Sequence, residues 1–278
     1  MKFILCIAAI IISSQTYSQE NQKLLGPTSK KVLADANNYM WYQKEYDAYK
    51  IDESYLPTNK GDINIKIFFG SWCGDSQREV PRFIKVLKDS GFKTSQYELI
   101  AVDNTIESYK QSPSGEEKGL NIYRVPSFLV YRGENLIGRI IESPVNTLEQ
   151  DLYQIISGKN DYSPRYSFTL DLDNKLEQNH KYLSKTLKST DRTPRLESQS
   201  EMLSYALSKW SNQEYDKAIT ALKFNLKVFP DYQYAHKYLG YIYRDMGKEK
   251  LAFKHFKTYH QLNPEDAAIK DLLANRDN

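Results

Sequence analysis

The sequence predicts an α/β layer, a central mixed sheet flanked by helices, followed by an all-α segment of helical repeats. Three observations predict it. Residues 63–157 alternate β-rich runs with helical apolar stripes. The last two β-rich runs flank a tight Gly turn, which adds an antiparallel hairpin to the layer. From about residue 196 the strand signals stop. Small residues and prolines then recur 34 residues apart, at Ala218 and Ala252 and at Pro230 and Pro264.

The chain begins with Met1-Lys2, an uncharged apolar run over 3–12, and a small polar stretch over 13–18. A positive start, an apolar run shorter than the ~20 residues that span a bilayer, and Thr16-Tyr17-Ser18 together predict a secretory signal over 1–18. Cys6 lies inside the apolar run rather than after it, which argues against lipidation there. The expectation is an exported protein, periplasmic or extracellular, with no stable membrane span. Loss of the signal would leave Cys73 as the sole thiol in a compartment where disulfides persist.

Residues 19–59 read as an N-terminal extension. Val32, Leu33, Ala36, Tyr39, Met40 and Tyr46 recur at roughly helical spacing behind Thr28 or Ser29 as N-cap, predicting one amphipathic helix over 29–50. The α/β layer takes 60–158. Its first strand is 63–69. A helix over 77–89 carries the stripe Val80, Phe83, Ile84 and Leu87 and stops before Gly91. The second strand is 97–102. Residues 105–121 are polar and predict a short helix and loop. The third and fourth strands are 125–131 and 136–141, joined by Arg132-Gly133-Glu134-Asn135. A closing helix over 147–157 is capped by Asn146 or Thr147 and ended by Gly158.

Residues 159–194 are polar, contain Pro164 and Pro194, and predict a linker with one helix at 172–187. The remainder, 195–278, is all-helical. Ala235, Leu239-Gly240, Tyr243, Gly247, Ala252, Phe256 and Pro264 set small and aromatic residues where two antiparallel helices pack closely. Tyr205, Ala206, Lys209, Gln213, Ala218 and Leu222 mark a degenerate earlier unit, and 265–275 predict a capping helix. The pattern resembles the tetratricopeptide repeat. Two units fall short of the three or so usually needed alone, so these helices are expected to lean on the α/β layer.

The 278 residues suffice for about two domains, and 40% hydrophobic with 26% charged residues lies in the globular range. A net charge of +3 without a like-charge block argues against nucleic-acid partners.

The chemistry concentrates in Phe68-Phe69-Gly70-Ser71-Trp72-Cys73-Gly74-Asp75-Ser76, a strand end, a turn and a cysteine opening a helix. The thiolate is the nucleophile, and a helix N-terminus favours it through unpaired N–H groups and partial positive charge. Ser76 is placed to turn its hydroxyl toward the sulfur, and Trp72 to shield one side.

At this motif the chain resembles the thioredoxin superfamily. Trp72-Cys73-Gly74-Asp75-Ser76 matches the family's Trp-Cys-Gly-x-Cys except at the last position, and Pro81 matches the proline of its first long helix. Ile122-Tyr123-Arg124-Val125-Pro126-Ser127-Phe128 with Gly133-Glu134 resembles its cis-proline strand and hairpin. The resemblance covers about 60–158, closest to extracytoplasmic members through Asp75-Ser76-Gln77-Arg78-Glu79. It implies a thioredoxin-like α/β domain, a cis Val125–Pro126 bond, and a Val125 backbone that hydrogen-bonds an extended substrate beside Cys73. Gly74 and Asp75 would border that substrate. No cofactor is implied. Two departures stand out. Ser76 cannot attack a mixed disulfide, the step that closes a dithiol cycle. The family's buried acid six residues before the cysteine is here Ile67, with Asp75 the nearest substitute.

Three uses of Cys73 are open. It is an active monothiol forming a mixed disulfide with a protein substrate, as in an isomerase or deglutathionylase. It is an inert remnant in a peptide-binding module. Or it holds a fixed partner by an intermolecular disulfide. A lone-cysteine peroxidase would need Pro-x-x-x-Thr-x-x-Cys, and the chain has Lys66 and Gly70 there. His180, His236, His255 and His260 lack metal-ligand spacing. Asp171, Asp173 and Asn174 imitate the start of a calcium loop, without its Gly and Glu, and read as a solvated loop. Tyr205, Tyr232, Tyr234, Tyr238, Tyr241 and Tyr243 read as packing between helices, or in part as a groove for a partner protein.

Overall fold

The computed structural model describes residues 23–58, 60–158, 162–178 and 196–274. The signal reading over 1–18, Cys6 and His180 lie outside the described residues. Five strands form one mixed sheet: β1 Gly26–Thr28, β2 Ile63–Phe69, β3 Tyr97–Ala101, β4 Ser127–Arg132 and β5 Asn135–Ile141. Their order is β1-β3-β2-β4-β5, with β2 and β3 parallel and the other pairs antiparallel. β1 is absent from the sequence reading. Three residues are too few for an alternating pattern, and they form a strand because the β3 edge offers free ladder groups.

Alternation along β2 separates the two faces of the sheet. Ile63, Ile65, Ile67 and Phe69 share one core with Phe128 and Val130, and with residues of α2 (Met40–Ala48), α3 (Gly74–Asp89) and α4 (Leu148–Ser157). Phe68 points the other way, to Ile100, Val102, Val125 and Leu129. The α3 stripe of Val80, Phe83, Ile84 and Leu87 is fully buried, as its spacing requires. Thr147 caps α4 by accepting from Gln150 N–H, and Gly158 ends it in the left-handed region at φ +60°.

Two expected helices differ. The N-terminal one is broken into α1 (Lys30–Leu33) and α2, with turns over 34–39. Asp35 accepts the Asn37 N–H and the Asn38 side-chain amide, and this local bonding competes with the helix. Leu33, Tyr39 and Tyr42 supply the core, whereas Met40 is 74% exposed. The second difference lies at 105–121, which is a series of turns with no helix. The sheet face beneath it therefore lacks a helical cover from that crossover.

The C-terminal helices supply the cover. α5 (Ser167–Gln178) precedes α6 (Glu201–Ser211), α7 (Tyr215–Val228), α8 (Gln233–Asp245), α9 (Glu249–Leu262) and α10 (Ala267–Ala274). Tyr123 and Ile141 from the sheet side join the core of these helices. On α6, Ser208 Oγ donates to Ile122 O at 3.3 Å, and Ser211 Oγ receives the Gln111 amide at 3.1 Å. The repeat spacing is physical. Tyr205 and Leu239, Ala206 and Gly240, Ala218 and Ala252, and Leu222 and Phe256 are all fully buried or, for Gly240, buried beneath a ring. A Cβ on Gly240 would lie 2.4 Å from the Phe256 ring, so only glycine lets α8 and α9 meet there. Gln213 occupies the place of Gly247, and both take left-handed backbone, at φ +63° and +69°.

Within the stretch read as a linker with a helix at 172–187, the structure has α5, which starts earlier and buries Leu172 and Leu176 in the C-terminal core, while 179–187 lie outside the described residues. Asp171, Asp173 and Asn174 stand on this helix, so they form neither a calcium loop nor a solvated one. Asp173 is fully buried, receiving Tyr205 OH at 2.6 Å and pairing with Lys209 Nζ at 2.7 Å. Burial alone would raise its carboxyl, but Lys209 and Tyr205 hold it below the ordinary value. Lys209→Met would strand that carboxylate at a cost of about 3 kcal/mol. A urea titration should show the loss, and the Asp173→Asn, Lys209→Met double variant should recover part of it.

Candidate functional site

The turn that presents Cys73 is built from close contacts. Trp72 folds its ring over Gly70, where a Cβ would meet the ring at 2.5 Å, and its Nε1 donates to Val102 O at 2.9 Å. Cys73 N–H bonds Gly70 O at 2.9 Å, and Cys73 O accepts the Gln77 N–H, the first bond of α3. Cys73 is the N-cap of that helix, half-buried and free of any disulfide. Its Sγ donates to Val125 O at 3.4 Å, and the Val125–Pro126 bond is cis. None of the hydrogen bonds among the described residues uses the Val125 N–H. Around Gly74 no atom lies within 4 Å of a notional Cβ, so the space above the helix start is open.

The other expected residues take different roles. Ser76 is fully buried and points away from solvent, accepting the Gly70 N–H at 3.1 Å, so it serves the turn. The thiol's hydrogen-bond partner is Val125 O rather than the Ser76 hydroxyl, because Ser76 sits on the inner face of α3. Asp75 is paired with Arg78 at 2.8 Å, which commits it away from a proton-relay part. Ile67 is fully buried in the core, with no titratable group in its place.

Sequence reasoning missed the residues that surround the thiol. Lys110 is 6% exposed and has a left-handed backbone at φ +62°. Its Nζ lies 4.1 Å from the Trp72 ring centroid and 4.6 Å from that of Tyr109, in the cation–π range. Burial pushes its ammonium down to about 8, against the pull of the nearby Cys73 and with the push of Arg124. Arg124, 9% exposed, pairs with Glu142 at 2.5 Å, lies over the Tyr166 ring at 4.3 Å and donates to Ser200 Oγ at 3.1 Å. Burial raises the Tyr109 phenol, although Ser204 on α6 bonds it and opposes the rise. The site is therefore a seam of sheet, loop and α6. The legible signal was the long connection from β3 to β4, since such loops are usually functional.

The remaining candidates resolve into packing. His236 and His255 face each other across α8 and α9 with Nδ1 atoms 3.0 Å apart, and burial pushes His255 down to about 4. Among the described residues no group of three or more His, Cys, Asp or Glu side chains is placed to hold a metal ion. Tyr205 and Tyr243 are buried, and Tyr238 and Tyr241 pack around Trp210. Tyr234 is 43% exposed. Among the described residues no helix is long and apolar enough to cross a membrane. Comparison with protein-family models, curated proteins and solved structures finds no match to this chain.

The lowered Lys110 ammonium sets a pH dependence. Below about pH 8 folded and unfolded chains both carry its proton, and the folded chain bears the full desolvation penalty. Between about 8 and 10.5 the folded chain releases the proton first, so the penalty fades as pH rises. Lys110→Met keeps an apolar stem and removes the penalty at every pH. The stability difference between wild type and variant should hold constant below about pH 8, then move in favour of wild type up to 10.5. A pH-independent difference in urea midpoint would contradict the burial of a charged Lys110.

Proposed function

We propose that this chain is an exported thioredoxin-like protein acting as a monothiol thiol–disulfide oxidoreductase or isomerase on a protein substrate. One observation carries the reading. A free, half-buried thiol at a helix N-cap lies 3.4 Å from the carbonyl that precedes a cis-proline, beside an unused backbone N–H and open space at Gly74. That arrangement suits an extended polypeptide laid along the Val125 backbone, with its sulfur over Cys73. The tetratricopeptide-like helices, which contact Arg124 and Tyr109 beside the thiol, would hold the partner protein.

The exchange balances without a cofactor. The Cys73 thiolate attacks one sulfur of the substrate disulfide. The S–S bond breaks, a Cys73–substrate disulfide forms, and the second substrate sulfur leaves as a thiolate that takes up a proton. Ser76 has no sulfur to reverse this. Either another thiol of the substrate attacks the mixed disulfide, giving isomerisation with no net redox change, or an external thiol attacks the Cys73 sulfur, releasing the reduced substrate and leaving Cys73 joined to that thiol. A second external thiol then frees Cys73 as the two external thiols leave as a disulfide.

Trapping tests the reading. Wild type isolated from its native compartment with its thiols blocked should carry disulfide-linked partners that a reducing agent releases. Cys73→Ala should carry none. Ser76→Cys supplies a resolving thiol and should lower the trapped amount several-fold. Trapped species that persist in Cys73→Ala would overturn the mechanism.

A further inference from the structure

We propose that Lys110 and Arg124 form an anion-recognition floor beside Cys73, so that this thiol selects a polypeptide disulfide whose half-cystine is flanked by an acidic side chain. The substrate assignment rests on the exchange reading above. The anion floor rests on geometry alone.

Lys110 and Arg124 are each more than nine-tenths buried. Arg124 spends Nη1 on Glu142 and Nη2 on Ser200, and its Nε is buried with no hydrogen-bond partner. Lys110 Nζ lies over the Trp72 and Tyr109 rings, and none of the hydrogen bonds or ion pairs among the described residues includes it. Nearby carboxylates are committed elsewhere. Glu142 serves Arg124 and Tyr166, Asp75 serves Arg78, and Asp103 takes Lys23 and the Thr105 N–H. Glu201, which also acts on Arg124, is held by Thr169 and the Glu197 N–H, so Glu142 is the one carboxylate that pairs directly with either cation among the described residues.

A buried cation without a counter-charge is costly, and a left-handed backbone at a lysine adds to the cost. A methionine or leucine would fill the space between Trp72 and Tyr109 without either charge. The feature that gives the arrangement a use is an anion arriving from outside. The unused Val125 N–H favours an extended chain as its carrier, with an aspartate or glutamate near the reacting sulfur. The acidic group would bring the attacked sulfur into register, and the ammonium would stabilise the departing thiolate.

Alkylation reads the floor independently of disulfide chemistry. Iodoacetate and iodoacetamide attack the same thiol with the same leaving group and differ in charge. The rate ratio of iodoacetate to iodoacetamide at Cys73, divided by the same ratio in the urea-unfolded chain, should exceed one by on the order of tenfold. The N-terminus of α3 also draws anions, so the variants decide. Lys110→Met should remove most of the excess, Lys110→Arg should retain it, and Arg124→Gln should lower it. An excess unchanged in a folded Lys110→Met chain overturns the floor. Peptide disulfides carrying Glu, Gln or Lys beside the half-cystine should then form the Cys73 adduct in that order of rate, with the order lost in Lys110→Met. Adducts formed at equal rates overturn the substrate assignment. An iodoacetate preference without any adduct overturns the exchange reading and the substrate with it, and leaves the floor standing.

Discussion

The Arg124–Glu142 pair is the contact on which both halves of the chain depend at the thiol. Arg124 immediately precedes the cis Val125–Pro126 bond, and Glu142 follows β5 and donates its own N–H to Pro126 O at 2.7 Å. The same guanidinium stacks on Tyr166 and reaches Ser200 at the start of α6. One ion pair, its arginine buried and its glutamate half-buried, therefore fixes the proline turn and β5, and ties both to the C-terminal helices. Such a pair adds little net stability over apolar packing, and removing either partner strands the other. Its contribution is register: the Val125 backbone stays beside Cys73.

The second constraint is topological. A parallel pair such as β2 and β3 leaves two sheet faces to be covered. α2, α3 and α4 cover one, and the turns of 105–121 only partly cover the other. α6 completes the cover, which sets Ser200 against Arg124 and Ser204 against Tyr109, two residues beside the thiol. Left-handed, non-glycine backbone gathers along this seam, at Lys110, Asn121, Glu142 and Tyr166. Each such residue costs about 1 kcal/mol or more, and strain of this kind concentrates where the surroundings over-determine a site. The helical half thus braces the residues that surround Cys73.

Much of this was legible in the residues. The four long strands and α3 follow from alternation and from the Val80, Phe83, Ile84 and Leu87 stripe, since burial selects both periods. The 34-residue spacing located the close approach at Gly240 because only a missing Cβ permits it. The cysteine turn and the proline turn were also readable, since each depends on residue type at a fixed place. What the sequence concealed depends on distant partners. β1 exists because β3 has an edge. The 29–50 helix breaks because Asp35 bonds locally. Lys110 looks like any polar loop lysine, and nothing around it in sequence announces that Trp72 and Tyr109 will enclose it. Ser76 carried the misleading signal: its spacing from Cys73 suggested a thiol partner, whereas its place on the inner face of α3 gives it to Gly70.

Under the exchange reading, Cys73 reacts as a thiol that must wait for another molecule to release it. Intact-mass analysis of the folded chain tests this most directly, after exposure to a peptide disulfide and removal of all free thiol. One adduct per chain, mapped to Cys73, should persist until an external thiol is added and then disappear. A folded chain that forms no adduct, or that sheds it with no thiol present, would contradict it.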